Sequence, residues 1–408
     1  MHFSRVLFIC VSSVFGFAGE GQLILEKAIA LTMENNPKLK ALSYEASARQ
    51  SEMAQSGRLP NPEVELELSE FAGGGIRKEL DSAESTLVFN QKFLLGKKRQ
   101  KKKHSASLKT EIAQTQMESK RLGLVAEVTK AFNMVLIEQE RVSLHGQLAD
   151  LSKKTHQTVS ARVRAGKVSP LDEVKTKVAL SLAQVSLEQS KRALAAARHH
   201  VCSFWGGELP DFATAEGELN IHSALPSLEA LLKTAGNNPD FARMEIMVKL
   251  EKAVLDEEMA LRVPDVSIKA GLQRFNENQG NSFTIGISLP LKVFDRNKGN
   301  IQAAGHRVNK ADQNSLATRV QLVSDIHQTY QLFRAIHLSA SALKSEIIPS
   351  AEFAFEASSK GYQEGKFGLL DVLDAQRTLF ETRVEYLNVL LAYHNSLVDL
   401  ERLSGIKN

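Results

Sequence analysis

The chain is written twice, and this doubling limits its possible folds more than any single motif does. The stretch RAGKVSPLDEV at 164–174 returns as QEGKFGLLDVL at 363–373. A constant offset of 199 pairs Gly166 with Gly365, Lys167 with Lys366, Leu171 with Leu370 and Asp172 with Asp371. Carried forward, it aligns Gly206 with Gly405. Upstream, LEKAIALTMENNP (25–37) is echoed by LEALLKTAGNNP (228–239). The pattern predicts a first structural repeat over 19–206, a linker over 207–226 and a second repeat over 227–408.

Each half runs through the same order of elements. A helix is followed by a stretch of strict alternation, and that pattern predicts a strand with one apolar and one polar face. In LPNPEVELELSEF, Val64, Leu66 and Leu68 oppose Glu63, Glu65 and Glu67; a glycine-rich loop leads to a second strand, STLVFNQKF. The second half repeats the device in VSIKAGLQRF and SFTIGISLPL. The hairpins are expected at about 60–95 and 264–292.

The apolar period then changes to about 3.5. No proline interrupts residues 97–165, and Leu144, Leu148, Leu151, Thr155 and Val159 form a narrow seam. From Leu316 through Val320, Val323, Ile326, Tyr330, Phe333, Ile336, Ala340 and Leu343 to Ile347 the spacing stays at three and four. Long coiled-coil helices are predicted at about 97–165 and 300–362, each followed by a shorter one, at 170–205 and 368–404. The fold class is therefore mainly α with a small β part: long antiparallel coiled-coil helices plus two β-hairpins, duplicated.

Residues 1–18 read as a secretory signal, with Arg5 before an apolar run and a small-x-small site ending at Ala18. Ile9 is too bulky for a lipoprotein site at Cys10, and cleavage would leave Cys202 without a partner. An exported chain with 51 Lys and Arg against 47 Asp and Glu has no use for nucleic acid. Yet six of the seven residues from Lys97 to Lys103 are basic. They fall where a strand leaves the hairpin and a helix begins, which is the wrong end of a helix for positive charge. The expectation is a membrane-interface belt of Lys97, Lys98, Arg99, Lys101, Lys102 and Lys103 on anionic headgroups; a solvated charged face is the alternative.

Enzyme motifs are lacking: the sequence holds no G-x-S-x-G, Walker loop, H-E-x-x-H or C-x-x-C. The pair His199-His200 would point some 100° apart on a helix and make a poor chelate. Neither catalysis, a cofactor nor a bound metal is expected. Four strands are too few for a membrane barrel, whose smallest single-chain form needs eight, so two, three or four copies would be required. A secreted coiled-coil scaffold or periplasmic adaptor without a barrel is the rival reading.

The NNP elements, the paired hairpins and the tips AGKVSPLDEV and EGKFGLLDVLDAQ resemble the TolC-type outer-membrane efflux proteins across the mature chain. VFNQKFLLGKKR is similar to the heavy-metal-exporting, CzcC-like subgroup. The resemblance implies a homotrimer whose twelve-stranded barrel continues into a periplasmic α-helical barrel. It implies a periplasmic adaptor, an inner-membrane pump of RND type, and outer-membrane lipid as partners. It places Gly166, Lys167, Leu171, Asp172, Gly365, Lys366 and Leu370 at adaptor-contact tips, and Asp371, Asp374 and Phe367 at the pore entrance. Phe367 stands where the family often has Arg, so an apolar closure is implied. Asp172 and Asp371 are equally placed to cap the returning helices.

Overall fold

The computed structural model describes residues 21–75, 82–221 and 227–405. The expected signal segment, with Cys10, lies outside the described residues. Two compact units each draw on both halves of the sequence. One comprises the chain through Pro37, Leu122–Leu228 and His327–Arg402; the other comprises Lys38–Arg121, Glu229–Ile326 and the chain from Leu403.

The second unit holds α2 (Pro37–Ser56), β2 (Glu63–Ser69), β3 (Glu84–Phe93) and the start of α3 (Lys98–Arg164). It also holds α5 (Leu228–Thr234), α6 (Pro239–Ala260), β5 (Val266–Phe275), β6 (Asn281–Ser288) and the start of α7 (Lys298–Ala342). The strands form one antiparallel sheet in the order β2-β3-β5-β6. The α3 and α6 faces meet through Leu108, Ile246 and Ala253, with Ile112 and Leu250 packed beside them. On α6 the buried residues Ile246, Ala253 and Ala260 recur every seven positions, the spacing of a coiled-coil seam.

The first unit begins with a two-residue strand, β1 (Gln22–Leu23), and α1 (Leu25–Asn35). The remainder of α3 is followed by α4 (Pro170–Ser203), and the remainder of α7 by α8 (Ile348–Gln363) and α9 (Leu369–Ser404). Thr176, Ala183, Ser190 and Ala197 bury one side of α4 at heptad spacing. Phe333 and Tyr393, both fully buried, stack with ring centroids 5.1 Å apart. At 67 residues α3 would extend about 100 Å.

Three features differ from the sequence expectation. The stretch read as a linker docks: β4 (Thr214–Ala215) pairs in parallel with β1, and Gln139 clamps Ala215 by accepting from its N–H at 2.7 Å and donating to its carbonyl at 2.9 Å. The second long helix contains a π turn, Leu343–Ile347, which ends two residues ahead of Pro349. Proline offers no N–H and crowds the carbonyl four residues back, so the backbone widens there. Along α7 and the π turn, finally, Ile326, Phe333, Ala340 and Leu343 are buried, whereas Leu316, Val320, Val323 and Ile347 of the same expected seam are exposed in the single chain.

Candidate functional site

The sheet has two chemically opposite faces. Pairing sets Val64 opposite Phe89, Phe89 opposite Ala270 and Ala270 opposite Ile285; the next row is Leu66, Leu87, Leu272 and Phe283. Side chains alternate along each strand, so these rows share one face. Eleven large apolar residues of it, from Val64 on β2 to Ile287 on β6, stand exposed. The other face carries Glu63, Glu65, Glu67, Asn90 and Lys269, and Asn90 donates to Glu63 at 3.1 Å across the β2–β3 pair. β2 and β6 each have one neighbour in this sheet, which leaves its two edges open.

Below the sheet, the basic run has partners that the sequence did not disclose. Lys97 precedes α3 in a left-handed conformation, φ 58°. Lys98 Nζ lies 2.5 Å from Asp265 Oδ1. Arg99 donates twice to the carbonyl of Gly57, at 2.7 and 3.1 Å, just past the end of α2. Lys101 donates at 3.0 Å to the carbonyl of Asp256 in the last turns of α6. The positive charge is therefore unfavourable for α3 itself but sits on the negative ends of two neighbouring helices, each worth about 0.3–1 kcal/mol to a nearby cation. Lys97, Lys102 and Lys103 remain exposed, as does Arg99 despite its bonds to Gly57. Burial disfavours the charge of Asp265; nonetheless the Lys98 hydrogen bond and charge, the Leu95 N–H and Lys92 hold its carboxyl below the usual range.

The two tips close by the same motif. Lys167 donates to the carbonyl of Arg162 and Gly166 to that of Val163, each at 2.9 Å; Lys366 donates to Gly361 at 2.8 Å and Gly365 to Tyr362 at 3.2 Å. Gly166 and Gly365 have φ of 68° and 76°. Both are Schellman caps, which need a residue free to turn left-handed. Returning helix α4 is capped by Ser169, which accepts from Leu171 N–H. At the other tip Asp371 accepts from the Gly368 N–H at 2.8 Å, the backward half of a capping box. Asp172 lies 3.9 Å from Lys175. Leu171 and Leu370 are exposed, and Lys366 pairs with Glu364 at 2.7 Å.

The Phe367 ring lies against the bare Cα of Gly361, where a methyl group would run into it. Asp374 is paired with Arg377 at 2.6 Å, and both line a groove of about 630 Å³ with His145, Ser152 and Gln376. Gln376 is buried and donates to Ser152 at 3.1 Å. Burial and the nearby Arg141 push the His145 imidazole down from its ordinary pKa. At the ends of α3 and α8, the Arg162 guanidinium lies 4.9 Å above the Tyr362 ring, a contact that no sequence pattern announces.

A two-faced sheet with open edges, joined to coiled-coil helices with glycine-turned tips, defines the class of outer-membrane export channels. The chain belongs to the outer membrane efflux protein family, whose model matches residues 28–207 and again 231–406. It is similar to the cobalt-zinc-cadmium resistance protein CzcC of Cupriavidus metallidurans: 34 % identical over 392 residues, covering 96 % of this chain and 92 % of that one. The fold is shared with the outer-membrane channel OprN, at a TM-score of 0.81 and 17 % identity over 93 % of this chain and 89 % of that one. It is shared also with CusC, at 0.78 and 17 % over 93 % and 91 %.

Proposed function

We infer that three copies of this chain form a passive exit duct through the outer membrane, with the helices in the periplasm, for heavy-metal cations delivered by an inner-membrane pump. The observation that carries this reading is the open sheet with one largely apolar face. An unpaired edge cannot face lipid, so the barrel must close with strands from other copies. Three copies give the twelve strands that the family resemblance implies.

A stripe on α4 supports the same assembly. Leu171, Val174, Val178, Leu182 and Val185 recur at three- and four-residue spacing and are all exposed, the pattern of a coiled-coil seam awaiting a partner. Each sequence repeat would supply one hairpin and one pair of rods. The tips at Gly166 and Gly365 would meet the periplasmic adaptor, and Asp374 with Phe367 would stand near the entrance. Exposed Lys97, Lys102 and Lys103 would face headgroups. Similarity to CzcC, named for cobalt, zinc and cadmium, supports the choice of cargo. The pump, of RND type, would supply the energy, since the sequence carries no nucleotide-binding motif.

Fractionating cells and measuring the native mass of the detergent-extracted protein tests the assembly. Three chains per particle from the outer membrane are expected; a soluble periplasmic monomer would replace the duct with the scaffold reading. Deleting the protein should lower tolerance to cobalt, zinc or cadmium, and unchanged tolerance would refute the cargo.

A further inference from the structure

We propose that the segment between β6 and α7, Leu289 to Asn297, is a membrane-interface anchor that seats the inner rim of the sheet in the phospholipid leaflet. The inference rests on the membrane reading of the sheet and assigns one stretch of chain to one lipid zone. Phe294 is 98 % exposed and Leu291 79 %, with Leu289 and Val293 also exposed. No larger run of bare apolar side chains outside a strand occurs among the described residues of this unit. Large exposed apolar patches mark interaction surfaces.

Continuity indicates what covers it. Phe283, Ile285 and Ile287 alternate on the apolar face of β6, and Leu289, Leu291 and Val293 continue the same parity past the strand's end at Ser288. The apolar face of β6 is thus followed in sequence by further apolar side chains, although the strand has ended and the Val293 N–H turns back to the Leu291 carbonyl at 2.9 Å. Lys292, Arg296 and Lys298 stand among and after these residues, and all three are exposed. Apolar side chains bracketed by long basic ones suit the boundary where acyl chains give way to anionic headgroups. Aromatic residues ring barrels at this level.

The equivalent junction before α3 is built differently. There Gly96 comes so close to Val263 that a methyl group would clash, Leu95 N–H donates to Asp265, and Lys98 pairs with the same carboxylate. That junction is knitted into its own chain. Ahead of α7 the tie is Asn297, in a left-handed conformation and donating to the backbone and side chain of Glu258 at 2.9 and 2.7 Å. Asn297 fixes the root of the segment and leaves Leu291 to Phe294 projecting.

The chain has one tryptophan, Trp205, so an optical probe can be placed cleanly. In a Trp205→Phe background, Phe294→Trp and, separately, Ile285→Trp are reconstituted into phosphatidylethanolamine–phosphatidylglycerol vesicles containing brominated lipids. The expected result is loss of Phe294→Trp emission with bromines near the glycerol backbone, and of Ile285→Trp emission with bromines deep in the chains. Quenching of Phe294→Trp by aqueous acrylamide alone would overturn the anchor. Protection from both bromine and acrylamide would overturn it too, because a second copy would then cover the segment. If Ile285→Trp also escapes every brominated lipid, the membrane reading of the sheet itself fails.

Discussion

The side-chain amide of Asn36 donates to the carbonyl of Phe204 at 2.7 Å, and Asn238 makes the corresponding bond to Leu403 at 2.9 Å. Both acceptors lie just ahead of a left-handed glycine, Gly206 or Gly405, that ends a long helix. This explains why the Asn-Asn-Pro element is written twice: its second Asn ties the end of one helix to the start of another. Removing the donor leaves a carbonyl without its partner, which costs about 1–3 kcal/mol when buried. Asn238 also caps α6 by accepting from Asp240 N–H at 2.8 Å. Asn238→Ala and Asn36→Ala should therefore each lower the thermal midpoint in detergent. Equal midpoints for both variants and the parent would refute this account.

Acid should loosen the junction below the sheet. Asp265, with its side chain 15 % exposed, is held below the ordinary aspartate range by Lys98, Leu95 N–H and Lys92 against the cost of burial. A group whose folded pKa is depressed stabilises the fold fully above its unfolded value of about 3.9 and loses that contribution as pH falls through the folded value. Unfolding measured down a pH series should show this loss below about pH 4. Asp265→Asn should be less stable at neutral pH and lack that part of the acid limb. Parallel pH curves for variant and parent would count against Asp265 as its source.

Much of the fold was legible because period and offset are properties of sequence alone. Alternation at 63–68 gives β2 with its two faces, and the repeated glycines give the tips. What sequence could not show were contacts between distant segments. Nothing in KKRQKKK reveals that Arg99 reaches Gly57 or Lys101 the backbone of Asp256. Periodicity also marks a seam without saying which copy fills it. Phe333 and Val320 share a spacing rule, yet one is buried and the other exposed. For Asp371 the sequence leaves capping and gating equally open, and the Gly368 N–H on its carboxylate supplies the capping contact.

That bond lets capping and conduction be tested apart at the tip. Asp371→Asn keeps an acceptor for the Gly368 N–H and removes the charge, whereas Asp371→Ala removes both. If the cap is the main role, Asn should hold the thermal midpoint, and Ala should lower it through the loss of one hydrogen bond, about 0.5–1.5 kcal/mol of stability. Asp374 behaves differently, since its charge is already matched by Arg377 at 2.6 Å. Arg377→Gln should unmask it and make the entrance more cation-selective, read as a shifted reversal potential across a planar bilayer under a salt gradient. No shift would mean that Asp374 does not face the ion path.

The two faces of the sheet make the sharpest pair of substitutions. Thr284 and Ile285 are neighbours on β6, but their side chains point to opposite faces. Ile285 shares a row with Ala270, Phe89 and Val64, in the middle of the apolar face. A charge there would meet hydrocarbon, at a cost of about 2–4 kcal/mol near the bilayer midplane, multiplied by each copy in the barrel. The same charge at Thr284 would meet water, beside Glu and Lys side chains of the polar face. Ile285→Arg should therefore deplete the protein from the outer-membrane fraction, while Thr284→Arg should insert as the parent does. Equal insertion of the two would mean that the apolar face does not meet lipid, whatever the number of copies.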